Sequence, residues 1–537
     1  MNRFADLLDL LAFTPSRNAK LALLQDHFRT VPDPERGYAL AALARDLDIP
    51  SVKPAQLREM IGARMDPELF AYSYDYVGDL AETIALAWPE NETRREGGND
   101  APGLAEVVET LIASSRGKGA ALVEGWLDRL DPPGRYALLK LVTGGFRMGV
   151  SSRLLKQALA GFGDVDINEI EELWHGLEAP YIDLFAWLEG EAEKPVNAAA
   201  APFRPVMLSH AIEDADFEKL DPGDFAAEWK WDGIRVQAVS ERGVNRLYSR
   251  TGDDISAAFP DLVDGFGFEG ALDGELLVAR PVNGGLETGT FSDLQQRLNR
   301  KTVTAKQLRE YPVFLRAYDL LIDGGTDLRK LDFVERRERL EPFVAKLDAD
   351  RFDCSPMLEF ASWEELAAHR AAPPSAVIEG VMIKRKRAAY VPGRPKGEWF
   401  KWKRDPFLID AVLMYAQRGH GKRSGFYSDY TFGVWRTDEE LVPVGKAYFG
   451  FTDDELVRID KFVRNNTIDR FGPVRSVRAG PDEGLVFEVA FEGINRSSRH
   501  KSGVAMRFPR INRLRWDKPP AEADRLDTLE RMIDAPR

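Results

Sequence analysis

The sequence predicts a multidomain protein: an all-α N-terminal region, an α+β middle domain and a C-terminal β-barrel. Three observations predict it. Apolar residues recur at helical spacing to about residue 190. The period changes to that of strands beyond an alanine- and proline-rich stretch at 194–202. Past Asp405-Pro406 the strands become short and turn-punctuated.

Each region follows from its pattern. Phe4, Leu7, Leu8 and Leu11 lie on one helical face, as do Leu21, Leu23 and Leu24 after the break at Pro15-Ser16. Further helical patterns cover 104–113 and 120–130. Gly144, Gly145 and Gly149 punctuate a basic segment, 140–156, that carries Arg147 and Arg153. Small residues beside basic ones let a backbone approach a phosphate, or they simply end one helix and start another. In the middle domain strands are expected at 225–231, 233–239, 246–249, 271–278, 313–321 and 377–385, with helices at 291–298 and 332–347. Strands at 410–415, 430–435, 444–450 and 486–491 fit a small barrel such as an OB-fold. The expected boundaries are 1–195, 203–405 and 406–537.

Length alone suggests about three domains. An apolar fraction of 44% and a charged fraction of 30% are those of a soluble globular chain. No apolar run of about 18 residues offers a membrane span, and the N-terminus lacks a signal-peptide pattern. One cysteine, Cys354, excludes an internal disulfide and any cysteine zinc cluster. A reducing cytoplasm is the expected compartment. The net charge of −14 argues against a nucleic-acid partner, but its distribution argues for one. Lys384, Arg385, Lys386, Arg387, Arg394, Lys396, Lys401, Lys403 and Arg404 face Glu398 alone in one block, and a second basic block fills 496–518. Both are interleaved with aromatics and can neutralise phosphates.

The chemistry centres on Glu228-Trp229-Lys230-Trp231-Asp232-Gly233. A lysine amine is a nucleophile only when neutral, and its reference pKa is about 10.4. Apolar walls would lower that value, so the two tryptophans are expected to flank a desolvated Lys230 able to hold a covalent intermediate. Asp-Gly is turn chemistry and places the lysine at a strand end. Four strand-terminal polar clusters follow: Arg250 beside a turn, Glu275 within an apolar strand, Glu379 and Lys384 in another, then Lys401 and Lys403 on one face of a strand. A lysine nucleophile, two carboxylates for a hard divalent cation and several cations for phosphates are what nucleotidyl transfer needs.

On these residues the chain resembles the ATP-dependent DNA ligases of the covalent nucleotidyltransferase superfamily, over most of its length. Lys230-x-Asp232-Gly233 is similar to the adenylated-lysine motif, and Arg507-Phe508-Pro509-Arg510 followed by Arg515-Trp516-Asp517-Lys518 to the last motif. The resemblance implies an α+β nucleotidyltransferase (ATP-grasp-like ligase) domain between a helical DNA-binding domain and an OB-fold. It implies ATP and Mg²⁺ as cofactors and nicked double-stranded DNA as partner, with sealing through lysyl-AMP and DNA-adenylate in repair, replication or recombination. Lys230 would be catalytic. Glu228, Arg235, Arg250, Glu275, Tyr318, Arg394, Lys401, Lys403, Arg515 and Lys518 would bind ATP, with Glu228 at the adenine amino group and Tyr318 stacked on the ring. Glu275 and Glu379 would hold the metal. Arg147, Arg153, Arg507 and Arg510 would contact DNA. A cytoplasmic monomer without membrane association is implied, of the bacterial type with a helical N-terminal domain. An RNA ligase or capping enzyme would carry the same lysine motif, and a non-catalytic end-binding protein could share the fold. The long helical region and the complete residue set favour the DNA ligases.

Overall fold

The protein is described by a computed structural model covering residues 1–77, 79–89, 101–146, 148–282, 285–298, 300, 302–418, 425–498 and 500–534. It forms two compact units. One comprises Met1–Met207, Val236–Leu272 and Ile322–Asp327; the other comprises Leu208–Arg235, Asp273–Leu321 and Leu328–Arg537.

The first unit is helical from Asn2–Phe13 to Ile182–Leu188. Phe4, Leu7, Leu8 and Leu11 are all buried on the inner face of the first helix, as their spacing predicts. Ser16 starts the second helix, its hydroxyl accepting from the Ala19 amide. Asp131 and Ser151 cap Pro132–Thr143 and Ser152–Gly163 in the same way. Between these two helices Gly144, Gly145 and Gly149 all take positive φ, so the glycines end one helix and permit the turn to the next. Phe28, Phe162 and Phe185 meet edge to face in the core, and Arg36 lies over Phe185 while pairing with Asp33 and Glu189. The stretch 194–202 has no regular structure, as expected of a linker, but it is fastened. The Asn197 amide donates to the Glu172 carbonyl and the Tyr248 hydroxyl to the Ala201 carbonyl. Strands Ile234–Glu241 and Val244–Ser249 pair antiparallel from Val236 onward in this unit.

The second unit contains a five-stranded sheet. Its order is His210–Ala211, Trp399–Lys403, Ile378–Arg385, Phe225–Trp231, Met357–Leu358. The register aligns Lys230 with Gly380 and Gly380 with Lys403, then Glu228 with Met382 and Met382 with Lys401. One face therefore carries the polar side chains. The other carries Phe225, Ala227, Trp229, Trp231, Val381, Ile383 and Phe400, which form one hydrophobic cluster. Ile234–Glu241, Gly270–Val282 and Val313–Asp323 each begin in one unit and end in the other.

Residues 407–515 of the same unit build a β-rich, OB-like region. Phe407–Arg418 is its central strand, paired with Tyr427–Trp435, Val474–Val477 and Val486–Phe491. The strand patterns at 410–415, 430–435 and 486–491 lie within these elements, which extend further. That at 444–450 corresponds to Leu441–Ala447. A helix the strand pattern passed over, Asp453–Asn466, packs Leu456, Ile459 and Val463 into the barrel core. Thr452 caps it and Glu455 completes a capping box.

Burial in the helical unit has a pH consequence. His27 is buried against Phe28, and its Nε2 has no hydrogen-bond partner among the described residues. Burial, with help from Arg3, lowers its pKa to about 4. The unfolded chain therefore takes up the proton first as pH falls. Stability should be full above the unfolded value near 6.5 and should drain away between there and 4, by at most about 3 kcal/mol for this group. Denaturant unfolding at pH 7 and 4.5 should show a smaller loss for His27→Gln than for the parent. An equal loss in both would remove His27 as the cause.

Candidate active site

The site is built on the polar face of the five-stranded sheet. Lys230 is the penultimate residue of Phe225–Trp231. Strand alternation sends its neighbours Trp229 and Trp231 to the opposite face, where they join the hydrophobic cluster. Trp231 donates from Nε1 to Ser355 Oγ at 3.0 Å. The expectation that the tryptophans wall the amine is thus corrected. Residues i±1 cannot share a strand face with residue i, and the amine meets a carboxylate instead. Lys230 Nζ donates to Glu379 Oε1 at 2.8 Å.

Glu379 reaches that position through a β-bulge. Ile378 aligns with Trp231 and Gly380 with Lys230, so Glu379 is the extra residue at the register shift. Its second oxygen lies 3.0 Å from Lys403 Nζ. Burial works to raise the Glu379 pKa, but Lys230 and Lys403 outweigh it and hold the carboxyl below its ordinary value. Gly380 makes the bulge possible. It has φ +147, and a Cβ there would lie 2.2 Å from the Trp402 carbonyl oxygen.

After Lys230 the chain turns through Asp232 and Gly233. The Gly233 amide donates to Glu275 Oε1 at 3.2 Å. Burial pushes the Glu275 carboxyl up to about 8, opposed by Lys230 and Arg235 and reinforced by Glu379 and Asp232. The two carboxylates expected to share a cation therefore feel each other's charge.

The Lys401 carbonyl accepts from the Ile212 amide at 3.1 Å, but its side chain makes no ion pair or hydrogen bond with the described residues. Burial lowers its pKa, and the charges of Lys230, Lys403 and Arg394 lower it further. Cations that depress one another in this way form a site for an anion. Arg394 itself is exposed.

Glu228 is fully buried beside Lys230 on the same strand face and is ion-paired with buried Lys384. Lys384 Nζ lies 4.5 Å from the Tyr318 ring centroid and 4.4 Å from that of Trp399. Arg235 grips Asp273 with two nitrogens, at 3.1 and 2.6 Å, and its guanidinium lies over Tyr318. The Tyr390 hydroxyl donates to Asp273 at 2.6 Å. Tyr318 is held well above the usual tyrosine pKa by burial.

The barrel basic residues divide into two groups. Arg507 pairs with Asp232, and Arg510 pairs with Glu492 at 3.0 Å. Glu492 also lies 3.4 Å from Lys403. Arg515 and Lys518 converge instead on Asp410, at 3.2 and 2.7 Å, and Arg515 also pairs with Asp517 at 3.0 Å. Asp410, Glu492, Asp273 and Tyr390 were not singled out in the sequence. Asp410, Glu492 and Tyr390 are lone residues without a repeating pattern, and Asp273 adjoins the Gly274-Glu275 step.

Two further residues, Arg250 and Arg153, belong to the first unit. Arg250 is exposed on the turn after Val244–Ser249. Arg153, the second residue of Ser152–Gly163, is exposed and lies 3.9 Å from Glu171. Arg147 lies outside the described residues.

Comparison with known proteins adds the family evidence. The model of the ATP dependent DNA ligase domain matches residues 206–403. The DNA ligase N terminus matches 1–160 and the ATP dependent DNA ligase C terminal region matches 423–518. A probable DNA ligase of Koribacter versatilis (strain Ellin345) is 34% identical, over 99% of this chain and 96% of its own. DNA ligase 1 of Korarchaeum cryptofilum (strain OPF8) is 28% identical, over 99% and 98%. The solved structure titled "Pmar-Lig_Pre." is 14% identical and shares the fold, with a TM-score of 0.57 over 96% of this chain and 99% of that one.

The bulge supplies a test. Gly380→Ala should displace Glu379 from Lys230 and Lys403 and cost about 1–3 kcal/mol in backbone strain. Covalent labelling with α-labelled ATP should fall while the barrel, whose core is separate, stays folded. Labelling at the parent rate would mean that Glu379 need not occupy the bulge.

Proposed function

Because the chain belongs to the ATP-dependent DNA ligases, we propose that Lys230 is the residue adenylylated when this enzyme seals nicks in duplex DNA. The observation that carries the assignment is the convergence of Lys230, Glu379 and Lys403 on one sheet face, beside a Lys401 side chain that forms no ion pair among the described residues.

The chemistry follows from that face. Lys230 first loses its ammonium proton to solvent, and the neutral Nζ then attacks the α-phosphorus of ATP as the bond to the pyrophosphate oxygen breaks and pyrophosphate leaves. Lys401, Lys403 and Arg394 neutralise charge on the phosphate oxygens as it redistributes. Glu228 takes the adenine amino group, Tyr318 offers a ring face to the base, and Arg235 and Arg250 address the ribose and phosphates. Glu275 and Glu379 supply hard oxygen donors whose mutual repulsion a divalent cation would relieve. Mg²⁺ suits such a pair, because it takes one or two carboxylates and completes its shell with phosphates and water. Bound there, it would neutralise phosphate charge. AMP then passes from Lys230 to the 5′-phosphate of the nick, and the 3′-hydroxyl displaces it.

The substrate in this reading is nicked double-stranded DNA, an intermediate common to repair, replication and recombination. Arg147 and Arg153 address its backbone from the helical region. Arg507 and Arg510 do so from the barrel once released from Asp232 and Glu492. Three domains, at 1–195, 203–405 and 406–537, divide these tasks in a cytoplasmic monomer. No helix among the described residues is long and apolar enough to cross a membrane.

Two experiments test the assignment. Lys230→Ala should take no covalent label from α-labelled ATP yet still bind nicked DNA, because the basic surfaces remain. A labelled variant would place the nucleophile elsewhere. In the double variant Arg515→Ala/Lys518→Ala, lysyl-AMP formation should collapse while sealing of a pre-adenylated nick persists, since outer-phosphate charge is present only in the first step. The opposite pattern, with normal labelling and poor, salt-sensitive sealing, would make these residues DNA contacts.

A further inference from the structure

Two buried polar atoms near the base-reading position, Glu228 Oε2 and Arg337 Nη1, have no hydrogen-bond partner among the described residues. Their side chains are nearly shut off from solvent, with 2% and 9% exposure. Buried polar atoms are rarely left unsatisfied without a reason. Lys384 is already placed by its ion pair with Glu228 and by the Tyr318 and Trp399 rings. Arg337 has no part in the mechanism above.

The position of Arg337 is determined by its other nitrogens. It projects from helix Phe333–Val344. Nη2 donates to the Ser355 carbonyl at 2.6 Å, and Nε donates to Glu341 at 3.2 Å. Ser355 is in turn tied to the lysine strand through Trp231 and to the strand of Tyr318 through the Ala317 carbonyl. A guanidinium is a rigid planar fork, so anchoring two nitrogens aims the third. Nη1 stands 4.0 Å from Glu228 Oε2. That is too long for a hydrogen bond and close enough for strong attraction in a dry site.

We propose that Arg337 is a positioning residue for Glu228 and thereby sets the base specificity of the enzyme. Lys384 holds one carboxylate oxygen and Arg337 steers the other, so that it can accept from the exocyclic amino group of adenine. Guanine presents a carbonyl oxygen at the same place, which a carboxylate repels. The inference rests on the assignment of Glu228 to the base.

The test measures lysyl-AMP and lysyl-GMP formation with α-labelled ATP and GTP, alongside thermal melting. Arg337→Gln should raise the KM for ATP about tenfold with kcat nearly unchanged, and lower the ATP/GTP ratio of kcat/KM about tenfold. Arg337→Lys keeps the charge but not the fork and should give an intermediate shift, about threefold. It also carries the test alone if Arg337→Gln does not fold. Unshifted KM and selectivity in a folded variant, or a fall in kcat with KM unmoved, overturns the proposal. Glu228→Gln separates the two layers. If it leaves the ATP/GTP ratio unchanged, the base assignment itself is wrong. If it collapses the ratio while Arg337→Gln does not, only the role of Arg337 fails.

Discussion

The contact between Lys230 and the bulged carboxylate of Glu379 organises the rest of the site. A regular ladder would turn the side chain between Ile378 and Gly380 out of step with its neighbours. The inserted residue instead lets Glu379 join the polar face and bridge Lys230 to Lys403. Three strands are thereby tied by charge as well as by backbone pairing. Against the opposite face, the tryptophans, Phe225 and Phe400 give the sheet a rigid backing. The Lys230 amine, the proposed nucleophile, is held by an ion pair on a stiff element, which places it closely.

Much of this was legible in the sequence, for identifiable reasons. The Lys-x-Asp-Gly turn, the two strand carboxylates and the alternation of Lys401 and Lys403 depend on local spacing, which a linear pattern records. The tryptophans adjoin Lys230 in sequence but not in space, because a strand groups residues two apart. Glu228 and Lys384 were both visible, but their pairing needed the register between distant strands. Helix Asp453–Asn466 carried a readable capping box at Thr452 and Glu455 that its polar composition obscured. Nothing local distinguished Asp410 or Glu492. Their importance comes from the cations that folding brings to them.

The barrel cations show why a motif is not yet a site. Arg507, Arg510, Arg515 and Lys518 occupy one short stretch of sequence, but the fold distributes them between two anionic neighbourhoods. The first pair faces Asp232 and Glu492, next to the lysine strand, and the second faces Asp410. A strand and its flanking turn separate charges that look contiguous in one dimension. Two groups of cations on one element can then be engaged at different times.

The shared grip of Arg515 and Lys518 on Asp410 makes triphosphate capture an exchange of anions. In their proposed role, these cations leave a carboxylate to meet phosphate oxygens, so the number of charge pairs barely changes and little net attraction is left over. When pyrophosphate forms, Asp410 stands ready to reclaim its partners. In that role the barrel would return to a neutralised state without holding the product, and the same carboxylate that tempered ATP binding would speed the leaving group on its way.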